Sequence, residues 1–148
     1  VGDSQAILAR ATELLGAKIQ HVERAPLYRS KAFGYTDQPD FINTVVRGET
    51  SLDVHKLLSF VKQIEQELGR VERFRWGPRE IDIDIIFYGH EQIESADITV
   101  PHPGLRERSF VLQPLCDLAP EWVDPASGQT VEQLLAALPP HDLQKLSA

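Results

Sequence analysis

The stretch EIDIDIIFYG, residues 80–89, decides how the rest of the chain is read. Acid and isoleucine alternate strictly from Glu80 to Ile85. A period of two marks a half-buried strand, because successive side chains leave a strand on opposite faces. A strand over 80–89 therefore sends Ile81, Ile83 and Ile85 to a core and Glu80, Asp82 and Asp84 to the other face. Like charges then recur every ~7 Å along one face and call for a compensating cation. One or two Mg²⁺ ions bridged by Asp82 and Asp84 would supply it. The same column reads equally as the solvated face of an edge strand.

The neighbouring segments place this strand in an α+β domain. Before it lies the clearest helix, 52–68, with Val54, Leu57, Leu58, Val61, Ile64 and Leu68 on one face. Ser51 is its expected cap and Gly69 its expected stop. A second amphipathic helix is expected at 4–15, ended by Gly16. Strand-like runs occupy 18–28, interrupted by Pro26, and 41–50. Turn formers fill 29–40, and a polar loop covers 70–79. After the acid strand come an extended segment at 98–104 and possible helical turns in 106–120. A short helix at 130–138 carries a capping-box pair, Thr130 and Gln133, and stops at Pro139-Pro140. Interleaved helices and strands predict an antiparallel sheet with helices packed on it. One more strand ahead of helix 4–15 would make the arrangement ferredoxin-like.

Composition sets the outer bounds. A chain of 148 residues makes a single domain, 1–148, large enough to bury a core. With 15 basic and 22 acidic side chains the net charge is −7, which argues against non-specific nucleic-acid binding. No apolar run reaches the ~20 residues of a membrane span. Cys116 is the single cysteine, so no internal disulfide exists, and its apolar setting suits a small core residue. A cytoplasmic protein is expected. No methionine occurs, even at position 1, so the sequence is expected not to begin at its translational start.

The residues around the acid strand suggest phosphate chemistry. Arg70, Arg73, Arg75 and Arg79 crowd the ten residues before it. Planar guanidinium groups match phosphate oxygens, and acids that hold Mg²⁺ beside arginines suit phosphoryl transfer. Each arginine alone reads more readily as a surface ion-pair partner of Glu67, Glu72 or Glu80, and only the cluster beside the acids favours phosphate. Walker A and GxGxxG patterns are absent, as is zinc-ligand spacing among the five histidines. His102 sits between two prolines, where it is a candidate for a phosphate or ribose contact. Trp76, inside the arginine loop, is a candidate to cover a planar ligand.

Four segments then resemble the 6-hydroxymethyl-7,8-dihydropterin pyrophosphokinase family of folate biosynthesis. WGPREIDIDII (76–86) is similar to its W-G-P-R signature followed by spaced aspartates. DQPDFIN (37–43), IEQELGR (64–70) and TVPHPGLRERSFVLQPL (99–115) resemble further family segments, in order and with compatible spacing. The resemblance implies that ATP donates its β,γ-diphosphate to the pterin hydroxymethyl group and that AMP is released. It implies two Mg²⁺ ions on Asp82 and Asp84, with Arg79 also in the catalytic set. Phe41 and Phe110 would sandwich the pterin, Asn43 would bond its edge, and Ser30 and Phe33 would line the same pocket. Trp76 would close over the site. ATP would meet Arg70, Arg73 or Arg75, Arg79, His102 and Arg108, with Thr99, Ile85 and Glu65 near the nucleotide; Glu65 also reads as a plain helix-surface glutamate.

The sequence departs from the family pattern at Pro103, where an aromatic is common, and at Lys31, where proline often follows the serine. The 70–79 loop is one residue shorter than in some members. Family members begin with a strand ending in G-S-N-x-G, and Val1-Gly2-Asp3 resembles only the tail of that segment. The first strand is therefore expected to be missing from the given sequence. A monomer binding ATP and a reduced pterin is expected, with neither nucleic acid nor membrane as partner. Two other readings stay open: an Mg²⁺-dependent phosphohydrolase using the same acids, and a non-catalytic ligand-binding domain.

Overall fold

A computed structural model of the chain describes residues 2–30, 41–72, 81–139 and 143–146. It is a mixed α+β structure with antiparallel pairing throughout the described strands. The element order begins α1 (Gly2–Leu15), β1 (Gln20–Arg24), β2 (Tyr28–Ser30), β3 (Phe41–Asn43), β4 (Val46–Glu49) and α2 (Val54–Glu72). It continues with β5 (Ile93–Glu94), β6 (Thr99–Val100), a 3₁₀ turn (Leu105–Glu107), α3 (Ser109–Leu118), α4 (Val131–Ala136) and β7 (Leu143–Lys145). No helix among the described residues is long and apolar enough to cross a membrane.

Helix α2 departs from expectation at both ends. Asp53, not Ser51, caps it: its carboxylate accepts the Lys56 N–H at 2.8 Å. The helix also runs through Gly69. A glycine inside a helix costs only ~1 kcal/mol against alanine, and burying Ile64 and Leu68 outweighs that. Residues 70–72 are thus helical, and the remainder of the expected arginine loop lies outside the described residues.

Among the described residues, three small sheets replace the expected long strands. Pro26 splits 18–28 into β1 and β2, and residues 44–45 split 41–50 into β3 and β4. β1 pairs with β4 in the register Glu23↔Arg47 and Arg24↔Val46, with a bulge between Gln20 and Glu23. Gly48 is needed there, since a Cβ would stand 2.9 Å from the Gln20 carbonyl oxygen and run into Ile19. β2 lies between β3 and β7.

Among the described residues, the expected strand at 80–89 is not found. Residues 81–85 keep the alternating burial of a strand, isoleucines half-buried and aspartates exposed, yet residues 81–87 join no ladder among the described residues. The segment is placed instead by packing on two cores. Ile81, Ile83 and Ile85 pack on the first, formed by Ile7, Ala11 and Leu15 of α1 and Leu57, Val61, Ile64 and Leu68 of α2. Ile86 and Phe87 pack on the second, formed by Leu105, Leu112, Leu115, Val131 and Leu134. The acid segment is the seam between the two.

Candidate active site

A cavity of about 1670 Å³ opens along this seam, between the β1–β4 pair and residues 81–89. Asp82 and Asp84 open onto it from one side, and Asn43 from the end of β3. Arg108 and Phe110 reach it from the start of α3, and Ile85 lines it as well. Residues nearly seventy positions apart therefore share one concave site, and six of them were expected there from the sequence.

Several of these groups are placed by identifiable contacts. Phe110 is held in the first turn of α3, and the Arg108 guanidinium carbon stands 5.8 Å from its ring centroid, within cation–π range. Gly104 makes room for that guanidinium: a Cβ there would stand 2.9 Å from Arg108 Nε. His102 follows the cis Val100-Pro101 peptide. Its backbone N–H donates to the Ile86 carbonyl at 2.9 Å, tying the turn to the acid segment. The Gly104 N–H donates to His102 Nδ1 at 3.1 Å, so a neutral ring carries its hydrogen on Nε2. That nitrogen stands 3.8 Å from Asp84 Oδ2. Tyr88 donates its hydroxyl to the Leu52 carbonyl at 2.5 Å, fixing the far end of the segment.

The β2–β3 pair carries three of the expected pterin residues: Ser30 is in register with Phe41, and Asn43 with Tyr28. β2 is in turn anchored to α3 by a contact the sequence did not announce. The Tyr28 hydroxyl donates to Asp117, and Tyr28 is 5% exposed. Burial first, then this bond and the Asp117 charge, push the phenol up to about 12. Cys116, next to Asp117, is half-buried, and burial raises its thiol, which suits a packing role rather than a nucleophile.

Two other expected residues, Thr99 and Glu65, lie apart from the cavity walls. Thr99 sits on β6 opposite Glu94. Glu65 turns toward the acid segment: Oε2 accepts the Ile83 N–H at 2.5 Å, and Lys62 Nζ stands 3.2 Å from Oε1. The backbone of Ser30, Phe41 and Arg70 is described, on β2, β3 and α2. Phe33, Arg73, Arg75, Trp76 and Arg79 lie outside the described residues.

The pair Asp82 and Asp84 suits Mg²⁺ in one particular manner. Among the described residues no group of three or more His, Cys, Asp or Glu side chains gathers to hold a metal. Mg²⁺ keeps several waters and takes one or two carboxylates plus substrate phosphates, so two exposed aspartates at the mouth of a large cavity match it.

The family model for 7,8-dihydro-6-hydroxymethylpterin-pyrophosphokinase matches residues 1–120. The chain belongs to this family. A 2-amino-4-hydroxy-6-hydroxymethyldihydropteridine pyrophosphokinase of Synechocystis is 51% identical over 108 residues, which cover 73% of the chain and 55% of that protein. The protein of the same name from Methylorubrum extorquens is 43% identical over 148 residues, covering 99% of the chain and 92% of the relative. The mitochondrial folate synthesis bifunctional protein of Pisum sativum is 42% identical over 125 residues, 84% of the chain but 24% of its own length.

Proposed function

We propose that the cavity on the seam is where this pyrophosphokinase transfers the β,γ-diphosphate of ATP to the hydroxymethyl group of the reduced pterin, with release of AMP. The observation that carries the site is the convergence of Asn43, Asp82, Asp84, Arg108 and Phe110 on one cavity. Phe110 stacks on one face of the pterin and Phe41 on the other, and the Asn43 amide matches donors and acceptors on the ring edge. Ser30 and Phe33 complete that pocket.

Two Mg²⁺ ions held by Asp82 and Asp84 would neutralise phosphate charge and align the phosphates with the pterin hydroxyl. Arg108 and His102 bind phosphate oxygens from the α3 side. Arg70, Arg79 and either Arg73 or Arg75 do so from the segment before the acids, and Trp76 closes over the ligands. Ile85 and Thr99 lie near the nucleotide. With no general base in evidence, positioning and charge neutralisation provide the rate, and a closed site keeps water from competing as acceptor.

The finer architecture we propose is ferredoxin-like, with a further strand between β4 and residues 81–87. The cavity exceeds the roughly 300–1,000 Å³ of an ordinary ligand pocket. Trp122, which also lines it, buries an indole N–H with no acceptor among the described residues. A strand laid along its apolar part, by Ala11, Leu57, Val61 and Ile83, would give the 81–87 backbone its ladder partner and leave the part lined by Asn43, Asp82, Asp84, Arg108 and Phe110 to the ligands. This domain acts as a monomer in the cytoplasm.

The test is AMP release from Mg-ATP with and without the reduced pterin, repeated with Asp82→Ala and Asp84→Ala. Pterin-dependent AMP, reduced on the order of 10³-fold in each variant, is expected, since metal-held charge stabilisation amounts to several kcal/mol. Nucleotide turnover that ignores the pterin would identify a phosphohydrolase instead.

A further inference from the structure

We infer that Glu65 is a positioning residue for the acid pair, acting through the backbone rather than by touching nucleotide. The inference rests on the reading of Asp82 and Asp84 given above. Ile83 is the residue between the two aspartates, and its N–H donates to Glu65 Oε2 at 2.5 Å. The carboxylate comes from the middle of α2, a nineteen-residue helix whose apolar face is buried in the first core. Its side chain is 16% exposed, and its second oxygen stands 3.2 Å from Lys62 Nζ on the same helix.

Glu65 is therefore held at both oxygens, and its aim is fixed by a rigid element. The acid segment, by contrast, joins no ladder among the described residues, and with the further strand proposed above its Ile83 N–H still belongs to Glu65. Its described anchors are few: Glu65 at Ile83, the His102 N–H at the Ile86 carbonyl, and Tyr88 at Leu52. Of these, the Glu65 contact is the one between the two metal-binding side chains. A peptide plane rotated at Ile83 moves Asp82 and Asp84 together, because both flank that residue. Small errors of this kind are expensive, since groups that orient metal ligands typically change affinity or activity 10–100-fold when removed.

Substitutions at position 65 separate the roles. Glu65→Gln keeps an oxygen that accepts the Ile83 N–H but removes the charge. Glu65→Asp keeps the charge but is one methylene too short. Glu65→Leu removes both. Three readouts apply to each variant: amide exchange at Ile83 by NMR, Mn²⁺ affinity measured with a non-hydrolysable ATP analogue, and kcat and KM for ATP. Thermal melts confirm that each protein is folded at the assay temperature.

Glu65→Asp and Glu65→Leu are expected to speed Ile83 exchange, weaken Mn²⁺ binding and lower kcat, the last two by 10–100-fold, with KM for ATP within about threefold. Glu65→Gln is expected within about threefold of the parent protein on all of them, because the acceptor is retained. A tenfold rise in KM for ATP at unchanged kcat would make Glu65 a nucleotide contact and overturn the proposal. So would a Gln variant as defective as Leu, or a folded Asp variant with unchanged Mn²⁺ affinity and kcat. Inactive Asp82→Ala with fully active Glu65→Asp would defeat the positioning role alone. Active Asp82→Ala and Asp84→Ala would defeat the acid-pair reading and this proposal with it.

Discussion

The corner made by α3 and α4 and the acid segment 81–87 meet in the same core but are secured in opposite ways. At the corner, the polar groups around α4 find partners close by in sequence. Thr130 and Gln133 bond reciprocally as a capping box, satisfying two N–H groups that α4 would otherwise leave bare. Asp124 is 2% exposed, and its carboxylate accepts from the Ala126 N–H and the Ser127 hydroxyl. The acid segment depends on partners 16 to 36 residues away: Glu65, His102 and the Leu52 carbonyl. A region satisfied locally loses stability when altered. A region held from a distance loses alignment, and alignment is what the chemistry needs.

The largest expected effect that tests this contrast is on stability. Leu112 is wholly buried in the second core, and Leu112→Ala should cost about 2–5 kcal/mol in urea or thermal unfolding. Below its melting point the variant should keep most of its kcat. A large kcat loss in the folded variant would mean that the corner tunes the site as well as supporting it.

A sharper comparison uses two substitutions of similar cost. Thr130→Ala removes the cap of α4 and Tyr88→Phe removes the hydroxyl bond to Leu52; each should cost about 1 kcal/mol. Thr130→Ala should leave kcat unchanged, whereas Tyr88→Phe should lower it several-fold. Equal kcat values in the two variants would erase the distinction between the regions.

The smallest effect concerns an exposed pair away from the cavity. His55 Nδ1 stands 3.0 Å from Asp97 Oδ2. The hydrogen bond that His55 donates to Asp97 raises the histidine above its ordinary 6.5 and lowers the aspartate below its ordinary 3.8. The histidine's contribution is complete below pH 6.5 and fades as pH rises through its raised value. The aspartate's is complete above pH 3.8 and fades as pH falls through its lowered value. The melting temperature of His55→Ala should therefore differ most from the parent between those limits and converge with it at alkaline pH, with kcat unaffected throughout. A difference that does not vary with pH would show that the pair contributes by packing alone.

What was legible followed from local physics. The 3.6-residue periodicity placed α1 and α2, the Thr130–Gln133 spacing placed α4, and isoleucine alternation named the buried face of 81–85. The cap of α2 was misassigned because Ser51 and Asp53 are both good cap residues, and only the backbone shows which begins the helix. Glu65 read as a helix-surface residue or a nucleotide neighbour, because nothing within α2 reveals that its carboxylate faces Ile83.

By itself, the sequence determined the chemistry on offer: paired aspartates, clustered arginines, aromatics and the order of motifs that places the chain in its family. Those properties belong to residue types and short spacings, which are written directly in the chain. Only the tertiary structure decided that residues 81–87 join no ladder among the described residues, that Tyr28 anchors β2 to Asp117, and that Asn43, Asp84 and Phe110 share one cavity. Such facts depend on which distant surfaces pack together. Packing is a property of the whole fold, and a local pattern can propose a strand without supplying the neighbour that makes it one.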